Sequence, residues 1–502
     1  MSDGLDPITL QVLVGGLRAA CDEMGASLIR SAYSANIKER NDCSTALFDA
    51  RGELVMQAEH IPVHLGSMPD AVAAVLAEEH EPGLAWILND PYRGGTHLPD
   101  ITLVSPVFIE GELTGFAASR AHHADVGGPT PGGMPAFSRT LEEEGVVIPP
   151  TRATEAELER LAAQMRSPRQ RLADLRAQQA ANRIGELRLA ELAERHGADL
   201  LRTGMKEILA YSERRTRAAL AALPDGAYSA EDVLEDDSPG RERDVVLRVE
   251  ATISGEHLRL DFAGTDPQVD GNLNCPLSVT KSAAFFAVRA LTDPDAPPSA
   301  GANRPIEILA PPGCLLNAGY PAAVAAGNVE TSSRVADLVF AALAGARPVP
   351  APGQGTMNNV TLANDDFTYY ETLGGGQGAC PEADGPSGIH VAMSNTLNTP
   401  VEALESEFPL RVRELSLRRD SGGEGTHRGG EGIVRVIEAL APMRFTLITE
   451  RRRHPPRGRD GAGDGAAGVN RRNGEILPSK CEGDLAPGDR LEVETPGGAG
   501  RI

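Results

Sequence analysis

Histidine and carboxylate side chains gather, among small turn-forming residues, in two nearby segments: Asn89 to Asp100 and Arg120 to Gly128. Imidazole nitrogen and carboxylate oxygen are ligands that divalent Mn, Fe or Zn accept, and a catalytic site needs three or four of them with one position open. His97 and Asp100 form an H-x-x-D pair across Leu98-Pro99. Proline there bars a helical turn and favours a tight extended one that can aim both side chains at one point. His122 follows beyond a hairpin, which returns its strand end beside Asp100. His97, Asp100 and His122 are therefore the expected metal ligands, with Asp42 as a fourth ligand or a catalytic carboxylate. His123, Asp125 and Asp90 are expected around them, orienting imidazoles or moving protons. His60 and His64 are further proton-transfer candidates, because imidazole titrates near working pH. A metal so held would polarise a carbonyl or activate water. The same residue types also suit plain turns; the convergence of three histidines with three acids is what favours a metal, since buried charges left unpaired are costly.

The elements that must position these groups can be read from periodicity. Asp6 to Ser34 reads as a helix, with Asp6 as cap, Pro7 in the first turn and apolar residues at helical spacing from Ile8 to Met24. Thr45 to Gln57 reads as a hairpin turning at Asp49-Ala50-Arg51-Gly52, and Ile101 to Ala118 as another turning at Glu110-Gly111. The proline-free stretch between Pro168 and Pro224 predicts two or three helices broken near Gly197 and Gly204. Its arginine-rich face is either simply solvated or a surface for a partner protein. Beyond Pro224-Asp225-Gly226 alternating strands take over, with short helices expected at 279–291 and 331–344, and glycine clusters punctuate strands from about Thr361. The expected fold is α+β and multi-domain, with mixed and antiparallel sheets and a long helical arm in the middle. The expected units are an α/β metal-site domain (1–150), the helical arm (151–223), a β-rich α+β domain (224–360) and a β-rich C-terminal domain (361–502).

A formal net charge of -23 argues against nucleic acid as a partner, since phosphate binding draws on basic patches. The six cysteines are scattered without a C-x-x-C pair, so free thiols are expected. The first residues carry neither a basic start nor an apolar core, and no apolar run reaches the ~18 residues needed to span a bilayer. No membrane association and a cytoplasmic location are the corresponding expectations. The Gly374 to Gly378 loop lacks the pattern of a phosphate cradle, and no ATP site is visible. Cys43-Ser44 lacks the surroundings of a nucleophile.

At these residues the sequence resembles the hydantoinase B/oxoprolinase family, which is related to the large subunits of acetone carboxylase. The resemblance runs through Arg30 to Ser34, Ile37 to Arg40, His60 to Met68, both histidine-bearing segments, Asn328-Val329-Glu330, Met393 to Pro400, Arg418 to Gly423 and Thr495 to Gly498. It implies ATP-dependent hydrolysis of a cyclic amide: a hydantoin, 5-oxoproline or a lactam. It also implies a nucleotide-binding, hydantoinase A-type partner that binds ATP and phosphorylates the substrate, in an α2β2 or larger assembly, while this chain carries the metal and completes the reaction. The carboxylase branch supports His97, Asp100 and His122 over His123 as ligands. Two alternatives remain open, a subunit of an ATP-dependent ketone carboxylase and a non-catalytic scaffold for the partner.

Overall fold

A computed structural model describes residues 5–59, 61–64, 66–236 and 243–502. Its first helix, Pro7–Ser31, begins where the sequence predicts, with the Asp6 carboxylate accepting from the amides of Ile8 and Thr9. Leu13, Leu17 and Met24 of that helix pack with Leu47, Val55 and Ala117 of the first sheet.

That sheet contains β1 (Cys43–Asp49), β2 (Leu54–Glu59), β3 (Trp86–Leu88), β4 (Asp100–Ile109), β5 (Glu112–His122) and β6 (Thr151–Arg152). Their order is β2-β1-β5-β4-β3-β6, and every neighbouring pair is antiparallel. Both expected hairpins are present. Glu110 and Gly111 turn the second with φ of 55° and 82°, the left-handed pair that a two-residue hairpin requires.

Two long helices, Pro168–His196 and Ala198–Ala221, follow. The chain breaks at Gly197 as expected but runs helically through Gly204, where a second break was expected. The reason is packing: a Cβ on Gly204 would stand 2.3 Å from Cδ1 of Leu13, so the glycine lets two helices approach and ends neither. The first of these helices is docked on the sheet. Gln178 donates to the Ile101 carbonyl at 3.0 Å and Asn182 to that of Leu103 at 3.1 Å.

The next sheet holds β7 (Gly226–Asp236), β8 (Arg243–Ser254), β9 (His257–Asp261) and β10 (Ile306–Leu309), with β10 parallel to β9. Leu247 and Val249 share its core with Val279 and Ala283 of the helix Leu277–Thr292 and with Val335 and Val339 of the helix Ser332–Leu343. Both helices were expected. The remaining strands are β11 (Asn359–Ala363), β12 (Thr368–Glu371), β13 (Leu410–Arg418), β14 (Gly432–Ala439), β15 (Met443–Ile448), β16 (Val469–Arg472), β17 (Glu475–Leu477), β18 (Lys480–Leu485) and β19 (Arg490–Glu494). They form two sheets, β12-β11-β15-β18 and β13-β14-β19-β16-β17. The architecture is α+β with mixed and antiparallel sheets. All six cysteines are free thiols, and no described helix is long and apolar enough to cross a membrane.

Candidate metal centre

Strand register assembles the centre. Asp100 opens β4, His122 closes β5, and the two are paired directly across the ladder, so their side chains leave the sheet on one face. His97 comes from the turn just before β4, where the Asp100 amide donates to the His97 carbonyl at 3.1 Å. The approach to that turn is tightly packed: a Cβ on Gly95 would lie 2.2 Å from the Asn89 carbonyl oxygen. Asp100 Oδ1 stands 3.2 Å from both His97 Nε2 and His122 Nδ1. Potential ligand atoms of these three residues lie within 4.8 Å of one another, and they form the group of this kind found among the described residues.

His64 approaches the same carboxylate from the other oxygen, with Nε2 3.4 Å from Asp100 Oδ2 and Nδ1 2.9 Å from the Ser44 hydroxyl. All four side chains are buried. Burial works to raise the Asp100 pKa, but His97, His122 and His64 outweigh it and hold the carboxyl well below its usual range. The residues fit a cation. His97 Nδ1 and Nε2, His122 Nε2 and His64 Nε2 are all buried without a hydrogen-bond partner, although two of these atoms stand within 3.4 Å of Asp100. His97 Nε2, close to the carboxylate and without a hydrogen-bond partner, is free to share an ion with it. The 3.2 Å spacings also suit atoms bound at about 2.0–2.2 Å to one ion.

A supporting layer holds this geometry, and residue spacing alone does not point to it. The Thr96 hydroxyl donates to Asp100 Oδ2 at 2.7 Å, and Asn328 Nδ2 reaches the same oxygen at 3.5 Å. Asn328 is aimed by a π-helical stretch, Gly327–Thr331, a distortion often found at functional sites. Arg120, two residues before His122, is buried and donates to Thr102, Ser67 and the Gly94 carbonyl, tying β4 to both flanking loops. Burial lowers its pKa to about 10. The Tyr370 ring of β12 stacks on His122 at 4.7 Å with an interplanar angle of 12°, and its hydroxyl donates to Asn359 Oδ1 at 2.7 Å. The sequence signal for Thr96, Arg120 and Asn328 was their place in segments carrying the family resemblance; Tyr370 lies in none of them.

We expect Tyr370→Leu, which removes the stacked ring, to lower metal affinity and turnover about 10- to 100-fold, the usual scale for partners that orient a ligand. Tyr370→Phe, which keeps the ring, should stay within about threefold of the wild type on that scale. Metal titration of both variants checks this, and equal losses would show that the ring itself is not what matters.

Other expected site residues are placed elsewhere. Asp42 is outside the ligand group; its carbonyl accepts from the His122 amide at 3.0 Å, so its link to the centre is through backbone. Asp125 is saturated: the amides of Gly127, Gly132 and Arg166 and the Arg166 guanidinium all donate to its carboxylate. It organises a loop, as turn chemistry allows. His123 turns to the helix Pro168–His196, its Nε2 2.9 Å from Gln178 Oε1, and burial lowers its pKa to about 4. Asp90 Oδ1 accepts from the Tyr92 amide at 2.9 Å, closing a local turn. His60 lies outside the described residues.

Among known proteins, the Hydantoinase B/oxoprolinase family matches residues 6–501. The chain belongs to that family. It is 37% identical to 5-oxoprolinase 1 of Arabidopsis thaliana over 99% of its own length and 42% of that protein's, so it spans less than half of this relative. It is 32% identical to the B-type subunit of a D-/L-hydantoinase from a Pseudomonas species, of which it covers 90%. Its fold matches that of the ATP-dependent caprolactamase from Pseudomonas jessenii with a TM-score of 0.91 and 28% identity, over 99% of this chain and 91% of that one. Acetone carboxylase in its nucleotide-free form shares the fold at a TM-score of 0.87 and 18% identity, over 99% of this chain and 76% of that one.

Proposed function

We propose that this family member is the metal-bearing subunit of an ATP-dependent enzyme that hydrolyses a cyclic amide, completing ring opening after a separate nucleotide-binding, A-type subunit has phosphorylated the substrate. The observation that carries this reading is Asp100 surrounded by His97, His122 and His64, with unpartnered imidazole nitrogens in a buried site. Relatives named as an ATP-dependent caprolactamase, a B-type hydantoinase subunit and a 5-oxoprolinase support a cyclic amide as substrate.

In this reading His97, Asp100 and His122 hold the metal. When bound, a divalent ion there supplies Lewis acidity toward the amide carbon's oxygen. Thr96 and Asn328 fix the rotamer of Asp100 from its second oxygen. His64 is placed to hold or return a proton at Nε2, because Ser44 engages its Nδ1. Burial of the whole group limits access of bulk water and strengthens the electrostatic interactions inside it.

The test is reconstitution with an A-type subunit and a screen of hydantoins, 5-oxoproline and lactams with ATP. Chelation should leave ATP consumption running while ring opening stops. Ring opening at full rate by metal-free protein would overturn the reading.

A further inference from the structure

Beside the candidate metal centre lies a buried cation with no matching anion among the described residues. Among the described residues, Arg40, Arg120, Arg171, Arg334 and Arg435 are all wholly buried. Arg171 pairs with Asp174, Arg334 with Asp232 and Glu450, and Arg435 with Glu371. Arg120 feels the charges of Asp100 and Asp70. Among the described residues, Arg40 has only neutral acceptors: the Tyr370 carbonyl, the Thr372 hydroxyl at 2.8 Å and the Thr396 hydroxyl at 3.4 Å. Its Nε donates to nothing. A guanidinium taken out of water needs an opposite charge more than neutral acceptors can supply.

The surroundings are suited to an oxyanion. Thr372 and Thr396 hydroxyls lie 2.7 Å apart, Thr396 is 3.3 Å from His390 Nε2, and the Ser394 hydroxyl is 2.7 Å from His390 Nδ1. The hydroxyl protons of Ser394, Thr372 and Thr396 can rotate between acceptors. His390 itself is kept neutral, since burial and the Arg40 charge lower its pKa to about 3. The segment that carries Thr396 also reaches the surface: Leu397, whose amide donates to the Arg40 carbonyl, is 55% exposed. On its inner side Arg40 lies 5.2 Å from the centroid of the Tyr370 ring, the ring that stacks on His122. The cation and the metal centre therefore share a neighbour.

We propose that Arg40, with the hydroxyls of Thr372 and Thr396, is the seat of a phosphoryl oxyanion beside the His97, Asp100 and His122 centre. A planar guanidinium with a free Nε offers the forked donors that phosphoryl oxygens take. The phosphoryl group belongs either to the activated amide or to inorganic phosphate after its release. This assignment deepens the function proposed above and rests on it for the role of the seat, though not for its existence.

The experiment titrates inorganic phosphate into the full chain by calorimetry, comparing wild type with Arg40→Lys and Thr396→Val, each checked for an unchanged melting profile. Thr396→Val is nearly isosteric and serves if the arginine variant fails to fold. Both variants should bind phosphate at least about 10-fold more weakly, in line with a lost charge-assisted hydrogen bond. Equal phosphate affinity in wild type and folded Thr396→Val and Arg40→Lys would overturn the proposal, as would a wild type that binds no phosphate. In the reconstituted complex, the ratio of rings opened to ATP consumed then identifies the source. A fall in the variants places the substrate's phosphoryl group on Arg40, and an unchanged ratio places released phosphate there. If phosphate binding depends on Arg40 but the complex opens no ring, the seat stands and the proposed function fails. If rings open while the variants bind phosphate normally, the reverse holds.

Discussion

Asp100→Asn should fold normally, lose its divalent metal and lose ring-opening activity by more than the about 10- to 100-fold typical of groups that only orient a ligand. The amide keeps the size of the carboxylate and an oxygen for the Thr96 hydroxyl, so the turn into β4 survives. What it removes is the anionic oxygen 3.2 Å from both His97 and His122. Without it, a dication would be left with imidazoles alone, a weaker and differently shaped set. Metal content by atomic emission and turnover in the reconstituted complex measure the two effects together. His123→Gln is the control. It lies beside the same strand end but faces Gln178, so it should retain metal, and full metal occupancy in Asp100→Asn would remove Asp100 from the ligand set.

That contrast also shows how far the sequence carried. The H-x-x-D turn and the hairpin between Asp100 and His122 are local features, and local features are what residue spacing encodes. Their strand register then follows from the two-residue turn at Glu110-Gly111. His122 and His123 are neighbours in sequence, and only pleat and turn geometry send one to Asp100 and the other to Gln178. Asp125 is ambiguous by type, because an acid among glycines is equally the signature of a loop organiser, and four donors occupy it. Asn328, Tyr370 and Arg40 were beyond reach of spacing arguments. Each meets its partner through contacts more than 200 residues away in sequence, and such contacts depend on how separately folded layers dock. His64 is intermediate: its imidazole made it a proton-transfer candidate by type, but its place against Asp100 comes from the short turn Pro62–His64.

Glu144 should make the folded chain less stable as pH rises, and Glu144→Gln should abolish that part of the dependence. The side chain is buried, and burial raises its pKa to about 7 despite donation from the Ala325 and Val324 amides and the Ser138 hydroxyl and despite the pull of His97. In the unfolded chain the same carboxyl ionises near its usual value of 4.5. Between these two values the folded state holds a proton that the unfolded state has lost. Its contribution is therefore complete below the unfolded pKa and declines by about 1.4 kcal/mol per pH unit until the folded pKa is passed. Glu330, raised to about 7, and Glu450, raised to about 8, add to the same alkaline loss. His123 and His390 act on the other flank. Their pKa values of about 4 and about 3 lie below the usual 6.5, so their contribution is complete above the unfolded value and is lost as pH falls toward the folded ones. Three raised carboxyls outweigh two lowered imidazoles above the unfolded carboxyl value, so these five groups together place the stability maximum at about pH 5. Denaturant melts from pH 5 to pH 8 should show Glu144→Gln gaining about 3 kcal/mol relative to wild type across the interval and levelling off above pH 7. A constant difference between the two proteins at every pH would mean that Glu144 is ionised in the folded chain, and that its three donors prevail over burial.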